Sequence, residues 1–276
     1  LDKTQGHKFD HGHALVLSGG PGHTGAARLA ARGALRIGAG LVTLGVPPAA
    51  QLEVAAQITS IMLKRIPDAQ ALTDVLQDAR INALCLGPGL GLDRARTLVP
   101  VALSSGPARR VVLDADALSA FGDAPDRLFG LLHAGCVLTP HGGEFARLFP
   151  DIAAKLRAER QSDAIDAKVA ATCAAAARCG AVVVFKGAHT VIADPTGHVA
   201  VHSAHGADAA PWLATAGAGD VLAGFITGML ARSFDPMQAA QAATWLHVAC
   251  ARAFGPGLMA EDLPDILPKV LRGLIA

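Results

Sequence analysis

Tyrosine is absent from this 276-residue chain, and the aromatics together make up only 4% of it. A mechanism resting on a Tyr acid or base is therefore excluded. No run of like charge stands out, and 24 Lys plus Arg against 23 Asp plus Glu leave a formal net charge of +1. Nothing indicates a nucleic-acid groove or a basic patch for a membrane surface, so the expected partners are small molecules. No stretch reaches the ~18 apolar residues of a membrane span, and the amino end, Leu1 to Lys8, has no apolar signal core. The five cysteines, Cys85, Cys136, Cys173, Cys179 and Cys250, contain no CxxC pair. They fit free thiols in a reducing cytoplasm better than disulfides or zinc. The histidines are scattered, without the paired spacing of a helical zinc site.

What is present is a chain 51% hydrophobic and rich in Ala and Gly, able to bury a large core and pack helices closely on a sheet. Short apolar runs bounded by Gly, Pro or Asp predict strands at Ala14–Leu17, Leu41–Val46, Ala83–Leu86, Val111–Leu113, Cys136–Leu138 and Val182–Phe185. Thr190–Ala193 and His198–Val201 read as a β-hairpin around Asp194-Pro195-Thr196-Gly197. Helical patterns cover about Ala26 to Ile37, Ala164–Ala177, and then Gly219–Ala231, Pro236–Phe254 and Glu261–Leu274. Alternation of this kind predicts an α/β fold, a mainly parallel sheet with helices on both faces. No linker, repeat or low-complexity segment interrupts it, so residues 1–276 read as one domain.

Ligands of such folds sit beyond the carboxyl ends of the strands. Gly20-Pro21-Gly22-His23-Thr24-Gly25 fits G-x-G-x-x-G after the first strand, a dinucleotide-binding signature. A dehydrogenase also needs an acid at the end of the second strand for the ribose, and that strand ends without a carboxylate before Glu53. The signature is incomplete. Gly87-Pro88-Gly89-Leu90-Gly91 serves either a ligand lying on bare backbone or a tight turn. Asp114 and Asp116 suit metal or polar ligand contacts, or helix capping. His141 and Glu144 lie in a Gly/Pro-rich loop at a strand end, and Lys186 closes a strand where it could pair with a phosphate or snorkel.

Ala214 to Gly224, with Gly217-Ala218-Gly219-Asp220 at its centre, carries the sharpest signal. A loop of small residues running into a helix offers unpaired N–H groups and the positive end of the helix dipole to an anion. Asp220 stands at its mouth, where a carboxylate beside a phosphate is unfavourable unless it takes a proton from a nucleophilic hydroxyl. Helix capping is the alternative.

Together these residues resemble the ribokinase-like superfamily, whose anion loop is Gly-x-Gly-Asp, and more closely the ADP-dependent NAD(P)H-hydrate dehydratases. The shared text includes His7-Lys8-Phe9, His11-Gly12-His13, Thr24 to Ala27, Gly38 to Thr43, Gly87 to Gly91, Leu113 to Leu118, Thr139-Pro140-His141, Lys186 to Thr190 and Ala216 to Gly224. The resemblance implies a three-layer α/β/α fold. It assigns Asp220 as catalytic base, and Ala26, Gly89, His141 and Asp220 as contacts to the hydrated nicotinamide nucleotide. To ADP or AMP it assigns Lys186, Gly187, Ala188, His189 and Thr190 with Gly217, Ala218 and Gly219. Two departures stand out: Gly142 where the family often has Pro, and Ala210-Pro211-Trp212 where many members carry Asn-Pro-Gly.

The implied chemistry is nucleotide repair, in which ADP or ATP, with Mg2+, phosphorylates the ring hydroxyl of hydrated NADH or NADPH and phosphate then leaves. The resemblance adds a homo-oligomer, a tetramer, and an epimerase domain ahead of Leu1, in keeping with a chain that does not start with Met. A hydroxyethylthiazole-kinase-like enzyme of the same fold and a nucleotide-sensing module without turnover are the alternatives. Phosphorylated product rather than free phosphate marks the first, and a dispensable Asp220 the second.

Overall fold

The computed structural model describes residues 3, 6–158 and 164–275. Within them nine strands form one sheet: β1 (His13–Leu17), β2 (Leu41–Val46), β3 (Met62–Arg65), β4 (Ile81–Leu86), β5 (Arg110–Leu113), β6 (Cys136–Leu138), β7 (Val182–Phe185), β8 (His189–Ala193) and β9 (Val199–Ser203). Their order is β3-β2-β1-β4-β5-β6-β7-β8-β9. Pairing is parallel from β3 to β7 and antiparallel across β7-β8-β9. The expected mainly parallel sheet with a terminal hairpin is what forms.

Among the described residues twelve α-helices cover it: α1 (Gly25–Arg36), α2 (Gln51–Ala55), α3 (Ala69–Val75), α4 (Leu92–Ser104), α5 (Asp116–Ser119), α6 (Pro125–Phe129), α7 (Gly142–Leu148), α8 (Pro150–Ala158), α9 (Ala164–Cys179), α10 (Ala218–Ala231), α11 (Pro236–Phe254) and α12 (Asp262–Ile275). Successive strand residues point to opposite faces, and β1 divides its side chains accordingly. Ala14 and Val16 join a core built with α1, α10, α11 and α12, whereas Leu15 and Leu17 join a second core under α3, α4, α7 and α9. Both faces are buried, which is why the central strands are continuous apolar runs.

Small residues let α10 press against α1. A Cβ on Gly224 would lie 2.1 Å from the Ala30 carbonyl oxygen, so only glycine allows the two backbones this close. The sequence reading has no counterpart for β3. It is a four-residue edge strand, mostly exposed and ending Lys64-Arg65, with no apolar run to betray it. Short charged edges of this kind discourage pairing with another chain. All five cysteines are free, four of them buried. None of the described helices is long and apolar enough to cross a membrane.

Candidate active site

The loop before α10 turns through Gly217, whose left-handed backbone (φ 89°) lets its carbonyl accept the first helical bond, from the Val221 N–H at 3.1 Å. The first N–H groups of a helix have no partner within it and carry a partial positive charge. Asp220 lies in that first turn, half-buried. Burial, reinforced by Asp114, Asp116 and Glu144 and opposed by Lys186, pushes its carboxyl up to about 7. A base whose pKa lies near the working pH is well matched to removing a hydroxyl proton.

Lys186 follows β7 and reaches across the strand ends to Asp114, which follows β5; Nζ donates to Oδ1 at 2.7 Å, with the Asp114 side chain 2% exposed. Burial works against the Lys186 ammonium, but Asp114, Glu144 and Asp220 outweigh it and hold its pKa above the ordinary value. One cation thus sits among several acids. Asp116 accepts from the Gly91 N–H at 2.8 Å, tying the loop after β4 to the loop after β5. Ala115, between the two aspartates, has φ 46° without being glycine, a strained backbone of the kind that gathers at functional sites.

His141 caps α7. Its Nδ1 accepts from the Gly143 and Glu144 N–H groups at 2.9 and 3.4 Å, while Glu144 accepts from the His141 N–H at 2.8 Å. That reciprocal box places the ring proton on Nε2, which faces Glu144 Oε1 at 3.4 Å. Glu144 is buried, and its carboxyl is raised chiefly for that reason. Gly89 has φ 60°, and a Cβ on it would meet the His23 carbonyl at 2.5 Å and Ala26 Cβ at 3.4 Å. Ala26 and Gly89, far apart in sequence, therefore adjoin.

A cavity of about 540 Å³ opens beside the anion loop. Lys186, Gly187, Ala188, Thr190, Ala218 and Gly219 line it, six of the eight residues expected at a nucleotide. Gly217 stands just outside, and the His189 ring turns instead to Ser203 Oγ, 2.8 Å from its Nδ1. His247 and Thr244 of α11 and His202 of β9 also line it, with the segment from Ala209 to Ala214 on another side. His247 donates from Nε2 to the Ala218 carbonyl at 2.8 Å, and burial pushes its pKa down to about 4, so a neutral ring pins the start of α10. Nothing in an Ala-rich helix marks that histidine in advance.

The glycine signature before α1 takes a different course. Glu53 of α2 accepts from the Gly22 N–H at 2.8 Å and from Thr24 Oγ1 at 2.5 Å. The protein's own carboxylate takes up the Gly22 N–H and the Thr24 hydroxyl, and no acid ends β2 to hold a ribose, so the dehydrogenase signature stays incomplete.

A mainly parallel sheet covered by helices on both faces, with a glycine-rich loop feeding a late helix, is a ribokinase-like α/β fold. A family model described as NAD(P)H-hydrate dehydratase matches residues 14–269, and the chain belongs to that family. It is 40% identical to the bifunctional NAD(P)H-hydrate repair enzyme Nnr of Moorella thermoacetica, over 99% of this chain and 51% of the relative. It is 36% identical to the ADP-dependent (S)-NAD(P)H-hydrate dehydratase of Neisseria meningitidis serogroup B, over 89% of this chain and 78% of the relative. The Bacillus subtilis ADP/ATP-dependent NAD(P)H-hydrate dehydratase, co-crystallized with ATP/Mg2+, superposes with a TM-score of 0.76 at 29% identity, covering 99% of this chain and 93% of that one. The chain spans about half the length of most of the curated relatives it matches.

Proposed function

We propose that this chain dehydrates the S epimer of hydrated NADH or NADPH at the expense of ADP, returning the reduced nucleotide with AMP and phosphate. The observation that carries the reading is Asp220, a half-buried carboxyl raised to about 7 beside an open helix N-terminus and an adjoining cavity. Hydroxide is a poor leaving group, and phosphorylation makes it a good one. Asp220 takes the proton of the ring hydroxyl as its oxygen attacks the terminal phosphorus of ADP, and AMP departs. The carbon–oxygen bond then breaks with its electron pair going to phosphate. A proton leaves the neighbouring ring carbon and the double bond returns.

The α10 N-terminus and Lys186 supply fixed positive charge for the phosphoryl group in flight, so catalysis is positioning and electrostatics without a covalent enzyme intermediate. Ala26, Gly89 and His141 take the hydrated ring and its nucleotide, and residues 186–190 with 217–219 take ADP, with ATP as a second donor. Mg2+ spreads phosphate charge in such reactions. Among the described residues no three His, Cys, Asp or Glu form a metal cluster. An ion arriving with the nucleotide would supply positive charge beside Lys186 and the α10 N-terminus. The bifunctional names of relatives about twice as long as the matched region support a second domain fused to this one in the natural protein; we assign it as an epimerase ahead of Leu1, and the protein as a homo-oligomer, a tetramer, in the cytoplasm.

The test is incubation of hydrated NADH with ADP and Mg2+. Return of NADH absorbance with AMP and free phosphate in equal amounts is expected. A stable phosphorylated product without NADH overturns the reading in favour of a kinase of the same fold.

A further inference from the structure

Lys168 of α9 lies outside every motif in the chain, yet its ammonium ends inside the loop assigned to the nucleotide. Nζ donates to the Lys186 carbonyl at 3.1 Å and to the His189 carbonyl at 2.6 Å. The same ammonium sits 4.2 Å from the Phe185 ring centroid, and Phe185 stacks on Phe145 at 4.1 Å. Gly187 has φ 156°, and a Cβ there would come within 2.9 Å of Lys168 Nζ. The glycine of Lys186-Gly187 thus leaves room for a lysine from another helix, a reason for its presence unrelated to any ligand.

A trans peptide points its C=O and N–H to opposite sides. A cation holding the Lys186 carbonyl therefore turns the Gly187 N–H away from itself, and Gly187 lines the cavity. Thr190 Oγ1, donating to the Gly187 carbonyl at 3.0 Å, fixes the next peptide. We propose that Lys168 is a positioning residue for nucleotide binding: its ammonium sets the peptide planes of residues 186–190 so that the loop presents N–H groups to an anionic nucleotide. This rests on the ADP reading above.

Among the described residues no carboxylate pairs with Lys168. The charged groups on elements packed against α9 are engaged elsewhere or carry the same sign. Lys186 turns to Asp114, His189 to Ser203, Asp151 of α8 to Arg178, and His198 at the β8–β9 turn to Asp194. Lys155 and Arg157 of α8 are cations, and burial disfavours a charge on His202 of β9. Asp166, on α9 itself, makes no salt bridge with Lys168. Burial alone takes the Lys168 ammonium down to about 8. An arriving anion favours the protonated form, so ADP affinity weakens as pH rises through that value.

The experiment measures the ADP dissociation constant and the steady-state constants of the parent, Lys168→Met and Lys168→Arg. Loss of two charge-assisted bonds predicts about tenfold weaker ADP binding in Lys168→Met near neutral pH, with turnover at saturating ADP within about twofold. The parent constant should rise roughly threefold or more between about pH 7 and 9, and Lys168→Arg, which does not titrate, should bind ADP well and keep only the smaller rise that ionisation of Asp220 brings. Should Lys168→Met not fold, the flattened profile of Lys168→Arg decides. A variant that melts lower but binds ADP like the parent, or a Lys168→Arg profile that rises as steeply as the parent's, overturns the proposal. A parent that binds no ADP overturns the functional reading itself, and this proposal with it.

Discussion

The loop before α1 and the loop before α10 are built from the same materials, glycine and small residues leading from one sheet edge into a helix. Each is a helix N-terminus with N–H groups to satisfy. In the first, Glu53 closes the loop by bonding Gly22 and Thr24. Hydrogen bonds from Thr24 and Gly22 to that carboxylate lower its pKa, keeping it an anion. In the second, no carboxylate of the protein is bonded to the first turn among the described residues, and the nearest acid, Asp220, is held near neutrality. The lesson is that a glycine motif specifies a backbone shape. Whether a phosphate can enter depends on whether the protein supplies its own acid first.

That contrast breaks most sharply at Asp220. Asp220→Asn keeps the capping capacity and removes the base, so turnover on hydrated NADH should fall ~10²–10⁴-fold, about 3–5 kcal/mol of barrier. ADP affinity should hold or improve as repulsion is relieved. In the parent, turnover should fall as pH drops below about 7, where Asp220 is protonated. The sign for stability follows from the same shift. An acid with a raised folded pKa costs stability as pH rises from the unfolded value toward 7, so the Asn variant should melt higher at pH 8. Retention of a tenth or more of parent turnover removes Asp220 from the base role.

Lys186→Ala comes next. It strands Asp114, 1% exposed overall, without its counter-charge, and removing one partner of a buried pair costs about 3–5 kcal/mol. Melting temperature should drop sharply, and the rise that saturating ADP brings, about 2.7 kcal/mol at 100 times Kd, should shrink. An ADP-induced rise equal to the parent's would put Lys186 outside the nucleotide site.

The smallest effect belongs to the closed loop. Glu53→Gln keeps one acceptor and loses the charge that Gly22 and Thr24 bond, so the melting temperature should fall slightly. ADP affinity should not change, because ADP is assigned to residues 186–190 and the loop before α10; isothermal titration checks the affinity and thermal melting the stability. New pyrophosphate binding in Glu53→Gln alone would sharpen the comparison further, by turning the closed loop into an open one.

Much of this was legible in the residues. β2, β6 and β7 follow the apolar runs residue for residue, because strands buried on both faces are largely apolar, and the one polar side chain among them, Thr43, is bonded to His13. The anion loop reads from Gly217 to Asp220, since a left-handed turn into a helix demands small residues in order. β3 did not read, being exposed and charged. Neither did Glu53, Lys168 or His247, whose partners lie 31, 18 or 21, and 29 residues away along the chain. Their side chains look like any others until the fold closes.

The sequence by itself determined the alternation of strand and helix, the edge at which glycines, acids and a lysine collect, and the family. Periodicity and turn chemistry are local, and a residue's neighbours suffice to express them. Only the tertiary structure decided which glycine loop stays open and why Asp220 is held near neutrality. It also decided that Lys186 answers to Asp114 across 72 positions of chain. Those outcomes depend on desolvation and on charges brought within a few ångströms by packing, which chain order does not encode.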